Sequence, residues 1–319
     1  MTVRVFVTGG TFDKEYDELS GKLYFRNTHV DEMLRRGRCG LDVDVETLMM
    51  VDSLEMTDAQ RAMIVRACRE CEESQIVITH GTDTMEETAF FLDNIFDTDI
   101  PIVLVGSMRP STAIGADGPA NLYEAVKVAS SPQSKGRGVL VVLNDTIQGA
   151  RWTQKTNTTS VETFESPNAG PVGFVDTATV RYLAPAFPIK KAGLKLPASA
   201  PLPRVDIIYA HANMDGAPIE DAVKRGAKGI VLAGVGDGNT SKEAIDALAQ
   251  AAKQGVLVVR SARVGSGFVN RNVEVNDDTL GFVVSYDLNP QKARILTQLL
   301  IANGVNDAQA AQKAFALTW

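Results

Sequence analysis

The sequence predicts an α/β protein of two domains, each a mostly parallel sheet flanked by helices, the larger N-terminal and the smaller C-terminal. Three observations carry this expectation. Short runs rich in Val and Ile recur, each followed by a stretch with helical periodicity. A break at residues 184–203, APAFPIKKAGLKLPASAPLP, holds five prolines and separates two such series. The length of 319 residues, 45% of them apolar, exceeds what one core usually holds. The expected division is an N-terminal α/β domain over 1–185, a linker over 186–203 and a C-terminal α/β domain over 204–319.

In the first series the expected strands are Val3–Thr8, Asp42–Leu48, Ile76–Thr79, Ile102–Val105 and Gly138–Leu143. Helices are expected over Thr57–Glu73, Met85–Ile95 and Gly118–Ala129. The second series gives strands Val205–Tyr209, Gly229–Leu232 and Val256–Val259, with helices Ile219–Arg225 and Lys242–Lys253. Two helices, near Pro290–Ile301 and Ala308–Leu317, complete it. In such sheets ligands bind beyond the carboxyl ends of the strands, so chemistry is expected just after them.

Composition excludes several functions. A net charge of −7 argues against nucleic acid, which needs a basic face. No run of about 18 apolar residues suggests a membrane span. The opening MTVRVFVTGG has too short an apolar stretch for a secretory signal, so a cytoplasmic protein is expected, with a mature secreted form as the other option. Cys39, Cys68 and Cys71 are too few and too odd for a disulfide framework. Cys68 and Cys71 form a C-x-x-C, but with no second pair and no nearby histidine they read as two thiols on one helix face rather than half a zinc site.

Four segments can carry chemistry. Thr8-Gly9-Gly10-Thr11 follows the first strand, allowing close backbone approach to a ligand and presenting the Thr11 hydroxyl. Neither a dinucleotide fingerprint nor a Walker lysine accompanies it. Thr79-His80-Gly81-Thr82-Asp83-Thr84 ends the third strand, where Thr-Asp could equally be a helix cap. Gly106-Ser107-Met108-Arg109-Pro110 leads toward Asp117-Gly118-Pro119, and Arg109 is a candidate for an internal ion pair. Lys155-Thr156-Asn157-Thr158-Thr159 puts a lysine among small hydroxyl residues, either as a semi-buried cation or as a surface side chain. A threonine hydroxyl is a weak nucleophile and needs a base. Thr82, Lys155 and Asp83 together can supply one: Asp83 orients Lys155, which is neutral or shares a proton with Thr82, and Thr82 relays the proton. Of the three histidines only His80 lies near these segments.

Taken in order, T-G-G-T, H-G-T-D-T-M-E-E-T-A, G-S-M-R-P-S-T-A-I-G-A-D-G-P-A-N-L and N-D-T…K-T-N-T-T resemble the bacterial L-asparaginases, the asparaginase/glutaminase family with a threonine nucleophile. G-V-G-D-G-N and L-N-P-Q-K-A-R extend the resemblance through the C-terminal half. It implies hydrolysis of L-asparagine to L-aspartate and ammonia without metal or cofactor. It makes Thr11 the nucleophile, assisted by Tyr16 on a mobile loop, with Tyr24 as the fallback, and matches Thr82, Asp83 and Lys155 to the catalytic set. Substrate contacts fall to Ser53 for the α-carboxylate, with Asp52 and Gly10 beside it, and to Ser107, whose backbone borders the scissile amide. Asp83 and Glu274 would bind the α-ammonium. The resemblance also implies a homotetramer, a dimer of dimers, in which Asn239 and Glu274 reach a partner's site. The loop FDKEYDELSGKLYF is more acidic than the Gly-rich loop of secreted members, and Leu54 stands where glutamine is common. A broader glutaminase-asparaginase, a non-catalytic binding protein of the same fold and a nucleotide-binding oxidoreductase are the competing readings.

Overall fold

Val3, Val5 and Val7 alternate onto one face of strand β1 (Thr2–Gly9), and every one of them is fully buried. Around β1 a computed structural model, describing residues 2–17, 19–37, 39–186, 193–198 and 201–316, builds an eight-stranded sheet. The chain divides into two compact units, Met1–Pro188 and Ile189–Trp319. Residues 187–192 and 199–200 of the expected linker lie outside the described residues.

The first unit continues with β2 (Lys14–Tyr16), β3 (Leu23–Phe25), helix α1 (Val30–Arg36), β4 (Asp42–Val51), α2 (Asp58–Glu70), β5 (Ile76–Thr79), α3 (Met85–Ile95), β6 (Ile102–Val105), α4 (Gly118–Ser130) and β7 (Val139–Leu143). Five short strands follow: β8 (Thr146–Gly149), β9 (Gln154–Lys155), β10 (Phe164–Glu165), β11 (Gly173–Val175) and β12 (Val180–Tyr182). The large sheet has the order β12-β11-β8-β7-β6-β5-β1-β4. Strands β4, β1, β5, β6 and β7 are parallel, whereas β8, β11 and β12 extend the sheet antiparallel. The chain leaves β1 toward β4 and then returns to the opposite side of β1 for β5. Beyond the carboxyl ends of β1 and β5 there is therefore a topological switch point, the usual place for a ligand in an open α/β sheet.

The second unit has β13 (Val205–Tyr209), α5 (Ala217–Lys224), β14 (Gly229–Gly234), α6 (Lys242–Lys253), β15 (Leu257–Ala262), α7 (Asp277–Leu280), β16 (Phe282–Val284), α8 (Pro290–Ala302) and α9 (Ala308–Phe315). Its four strands form one parallel sheet in sequence order. Ile230, Leu232, Val258 and Phe282 pack against Ile219 and Ala222 of α5 and Ala244, Leu248 and Ala251 of α6. Helix starts follow local chemistry: Thr57 and Gln60 make a reciprocal capping box before α2, and Ser241, Asn289 and Asp307 cap α6, α8 and α9.

Several expectations change. Helix α2 stops at Glu70, three residues before the expected end, and Cys71 is extended. Glu70, Glu72 and Glu73 would put negative charge at the helix's negative end, and Glu73 instead binds Arg4 at 2.9 Å. The two thiols therefore do not share a helix face: Cys68 is buried, while Cys71 Sγ lies 3.1 Å from Glu73 Oε2. Helix α5 begins two residues early, because Pro218 suits a helix's first turn. Leu317, the expected end of the last helix, lies outside the described residues. Among the described residues no helix is long and apolar enough to cross a membrane.

What positions the switch point is a backbone contact. Gly9 and Gly10 have φ of +97° and +85°, and a Cβ on Gly10 would sit 2.5 Å from both Cα and N of Gly81. The turn after β1 thus rests directly on the turn after β5. Gly81 in turn faces Ser53, whose Oγ would lie 2.8 Å from an added Cβ. Gly10→Ala is expected to cost at least about 2 kcal/mol, from clash and left-handed strain together. A urea midpoint equal to that of the parent would contradict the contact.

A second constraint lies between α4 and the turn after β7. Glu124 of α4 is buried, and its carboxyl is pushed up to about 8, first by burial and then by the neighbouring Asp145 carboxyl. It accepts the Asp145 N–H at 3.2 Å. An unfolded carboxyl releases its proton near the ordinary 4.5, so between that value and about 8 the folded state holds the extra proton. Stability from this group is complete at low pH and falls as pH rises through 8. Denaturation midpoints followed up to pH 9 should show that decline, and Glu124→Gln should flatten it.

Candidate active site

Four turns meet around Gly81. The first carries Thr11, which opens a 3-10 turn Thr11–Asp13 directly after Gly10 and is half-buried. Phe12 and Asp13 behind it are fully buried. Burial pushes the Asp13 carboxyl up, while the His29 N–H donated to it at 3.1 Å opposes that rise. The second turn carries Thr82, 6% exposed, and Asp83. The third holds buried Ser53, and the fourth is Gly106-Ser107, where a Cβ on Gly106 would lie 2.8 Å from Thr82 Cγ2.

Lys155 enters from β9, held by antiparallel pairing with Phe164 of β10. Its Nζ donates to Thr82 Oγ1 at 3.0 Å and to Asp83 Oδ1 at 2.6 Å. The lysine side chain is 16% exposed and the aspartate 50%. Between the two options left open for Lys155, the structure has the semi-buried cation. It also removes the capping alternative for Thr82-Asp83. Helix α3 has Thr84 at its N-cap without a side-chain capping bond. Thr84 Oγ1 instead donates to Ser53 O at 2.8 Å, and Ser53 Oγ accepts the Thr84 N–H at 3.3 Å. Ser53 and the Thr82 turn are thereby fastened to each other.

His80 is fully buried, with Nδ1 2.8 Å from the Gly81 carbonyl and Nε2 without a partner among the described residues. Burial lowers its pKa to about 4. Neutral at ordinary pH and in contact with the Gly81 carbonyl, His80 supports the turn.

The Asp52 carboxylate is engaged by Lys14 Nζ and by the Leu54 N–H at 3.3 Å. The lysine contact, ahead of the N–H bonds, holds its pKa below the usual range. Lys14 begins β2, which pairs with β3 as a hairpin bearing Tyr16 and Tyr24. Both tyrosines are substantially exposed, at 47% and 39%, and Tyr24 Oη lies 3.3 Å from Glu15 Oε2. Ser107 Oγ lies 2.9 Å from Asp117 Oδ1, and Asp117 also accepts the N–H groups of Met108 and Arg109 at 2.9 Å. Arg109 is exposed and donates to the Gly115 carbonyl at 2.8 Å, a turn contact in place of the expected ion pair.

In the second unit Asn239 closes a tight turn, exchanging backbone hydrogen bonds with Val235 at 2.9 and 2.8 Å. Glu274 is exposed on the segment before α7. Sequence reasoning missed Lys14 and Asp117 as holders of these turns, and Asn121, whose Nδ2 donates to the Gly106 carbonyl at 3.0 Å. Asp117 had one signal, an acidic residue just before Gly-Pro at a helix start. Lys14 had none, since its partner is 38 residues away.

Residues 2–187 match the family model described as asparaginase, N-terminal, and residues 204–315 match the glutaminase/asparaginase C-terminal domain. A probable periplasmic L-asparaginase of Haemophilus influenzae is 45% identical over 276 residues, covering 85% of this chain and 78% of that one. L-asparaginase 2 of Escherichia coli is 45% identical over 280 residues, 86% and 80% of the two chains. A glutaminase-asparaginase of Pseudomonas fluorescens is 40% identical over 279 residues, 85% and 76%. Matched along both units by models and by relatives of nearly its own extent, the chain belongs to the asparaginase/glutaminase family.

Proposed function

We propose that the chain is an L-asparaginase, which splits L-asparagine into L-aspartate and ammonia through a covalent acyl-enzyme on Thr11. The observation that carries this reading is the Lys155 side chain, joined to Thr82 at 3.0 Å and Asp83 at 2.6 Å beside the turn that presents Thr11. Thr11 Oγ1 attacks the side-chain amide carbon, and its proton goes by way of the hydroxyl relay to the departing ammonia. The developing oxyanion is met by backbone N–H groups at the turns. A water molecule then attacks the ester, one proton returns to Thr11, and aspartate leaves.

Each member of the set has a role consistent with its surroundings. Asp83 fixes Lys155, and the 3.0 Å contact lets Lys155, when neutral, take a proton from Thr82. Ser53 receives the α-carboxylate, with Gly10 and Asp52 shaping the space around it, and the backbone at Ser107 borders the amide. Asp83, half exposed, and Glu274 of a partner subunit receive the α-ammonium. Tyr16, with Tyr24 as its alternative, closes over the nucleophile from the β2–β3 hairpin. Asn239 and Glu274 both serve a neighbour's site, so the working form is a homotetramer built from dimers. Three free cysteines fit the reducing cytoplasm, although the Haemophilus influenzae relative is named periplasmic.

A broader glutaminase-asparaginase is the second reading, since the Pseudomonas fluorescens relative carries that name. Leu54 favours the narrower one: 69% exposed next to Ser53, it offers no polar group to a longer amide.

Ammonia release from L-asparagine should be fast and indifferent to a chelator. Thr11→Ala, Thr82→Ala and Lys155→Met should each lower kcat on the order of a thousandfold while leaving the fold intact. A Thr82→Ala protein that turns over normally would remove the two-threonine relay. Leu54→Gln should raise the glutamine-to-asparagine ratio of kcat/KM, and an unchanged ratio would set that role of Leu54 aside. Specific activity should fall on dilution below the dimer's dissociation constant.

A further inference from the structure

Arg260 is fully buried in the middle of β15, an unusual place for a side chain that is always charged. Its guanidinium has five N–H groups, and each has an acceptor. Nε and Nη2 grip the buried Asp277 carboxylate at 2.7 and 2.8 Å. Nη1 donates to the carbonyls of Asp237 and Gly238 at 2.9 and 3.3 Å. The second Nη2 hydrogen goes to the Asn270 carbonyl at 3.1 Å.

The three carbonyls lie in two different loops, and Asp277 begins α7. Asp237 and Gly238 form the turn that ends in Asn239, and Gly238 lies so close that an added Cβ would be 3.1 Å from Arg260 Nη1. Asn270 begins the loop that leads to Glu274, and the same loop is caught again where the Asn272 N–H donates to Asp277 Oδ2 at 2.8 Å. Asp237 links the loops a third time, accepting the Asn270 N–H at 2.5 Å and its Nδ2 at 3.1 Å. One buried ion pair thus holds both segments, and a planar fork fixes their spacing as a flexible ammonium could not.

Resting on the reading above, in which Asn239 and Glu274 contact substrate, we propose that Arg260 is a positioning residue for asparagine. Anchored by Asp277, it sets the distance and angle between the Asn239 turn and the Glu274 loop, so that the two residues arrive together at a neighbouring site. Neither Arg260 nor Asp277 touches the substrate in this scheme. In this scheme the buried pair serves specificity of arrangement rather than stability.

The test compares Arg260→Lys, which keeps the charge but loses the fork, with Asp237→Ala, which cuts only the direct link between the loops and leaves the buried pair in place. Both are assayed in the full-length enzyme, alone and on an Asn239→Ala/Glu274→Ala background. Arg260→Lys should raise KM for asparagine on the order of tenfold, with a smaller fall in kcat. Asp237→Ala should shift KM in the same direction by less. On the doubly substituted background neither change should raise KM further. A KM within about twofold of the parent for both, or fully additive effects on that background, would overturn the proposal. Should Arg260→Lys fail to fold, Asp237→Ala decides by the same two readings. If Asn239→Ala and Glu274→Ala themselves leave KM unchanged, it is the substrate-contact reading that has failed. Amide hydrogen exchange then judges the clamp alone: protection at Asn239, Asn270 and Asn272 should fall together in Arg260→Lys or, if that variant does not fold, in Asp237→Ala. Unchanged or unequal loss would reject it.

Discussion

The contact between Gly10 and Gly81 is the constraint from which the rest of the site follows. The two backbones meet at a distance that leaves no room for a side chain on Gly10, and Ser53 fills the space a side chain on Gly81 would need. That approach brings the carboxyl ends of β1 and β5 to one point, where the strand order reverses. Ser53 presses against Gly81 from one side, and Gly106 against Thr82 from another. The hydroxyl groups are consequently placed by glycine geometry, and side-chain bonding only refines their directions. A loop set by side chains alone would hold them less tightly, because each rotatable bond adds freedom.

Carboxylates do most of the remaining work of holding loops still. Asp52 accepts the Leu54 N–H, Asp117 those of Met108 and Arg109, Asp13 that of His29, Asp237 that of Asn270, and Asp277 that of Asn272. In each case a turn with no ladder of its own gains a fixed acceptor. These five acids therefore have a structural use that composition alone does not disclose, since each is turned toward backbone N–H groups. Lys155 is the counterpart on the chemical side, a cation with two oxygen partners and little exposure.

The long buried strands and their helices were legible because period and burial coincide. Ile76–Thr79, Ile102–Val105, Met85–Ile95 and Lys242–Lys253 begin and end where the apolar pattern does. The strands of two to four residues after β7, and the hairpin at Lys14–Phe25, carry too few residues for any period to register. Strands β8, β11 and β12 form because the large sheet offers them hydrogen-bond partners, whereas β9 with β10 and β2 with β3 make separate two-stranded sheets. At the site, Thr11, Thr82, Asp83 and Lys155 were readable as residue types after strands, and their order along the chain matched a known pattern. The Lys14–Asp52 pair, Asp117 under Ser107, and Arg260 with Asp277 were not, since nothing in one sequence says which distant acid meets which base. For Cys71 the local helical pattern pointed the wrong way, because Glu73 is drawn to Arg4 and the helix gives way.

The Lys14–Asp52 contact bears on how freely the β2–β3 hairpin can be exchanged. The hairpin's first residue neutralises an acid that directly precedes Ser53. A hairpin grafted from a relative without a cation at this position would leave Asp52 uncompensated, next to the place proposed for a substrate carboxylate. Two like charges would then compete for that space, and binding would weaken although every residue of the catalytic set was intact. The hairpin and the Ser53 turn are therefore coupled through this pair, and any recombination of the two has to carry Lys14 and Asp52 together.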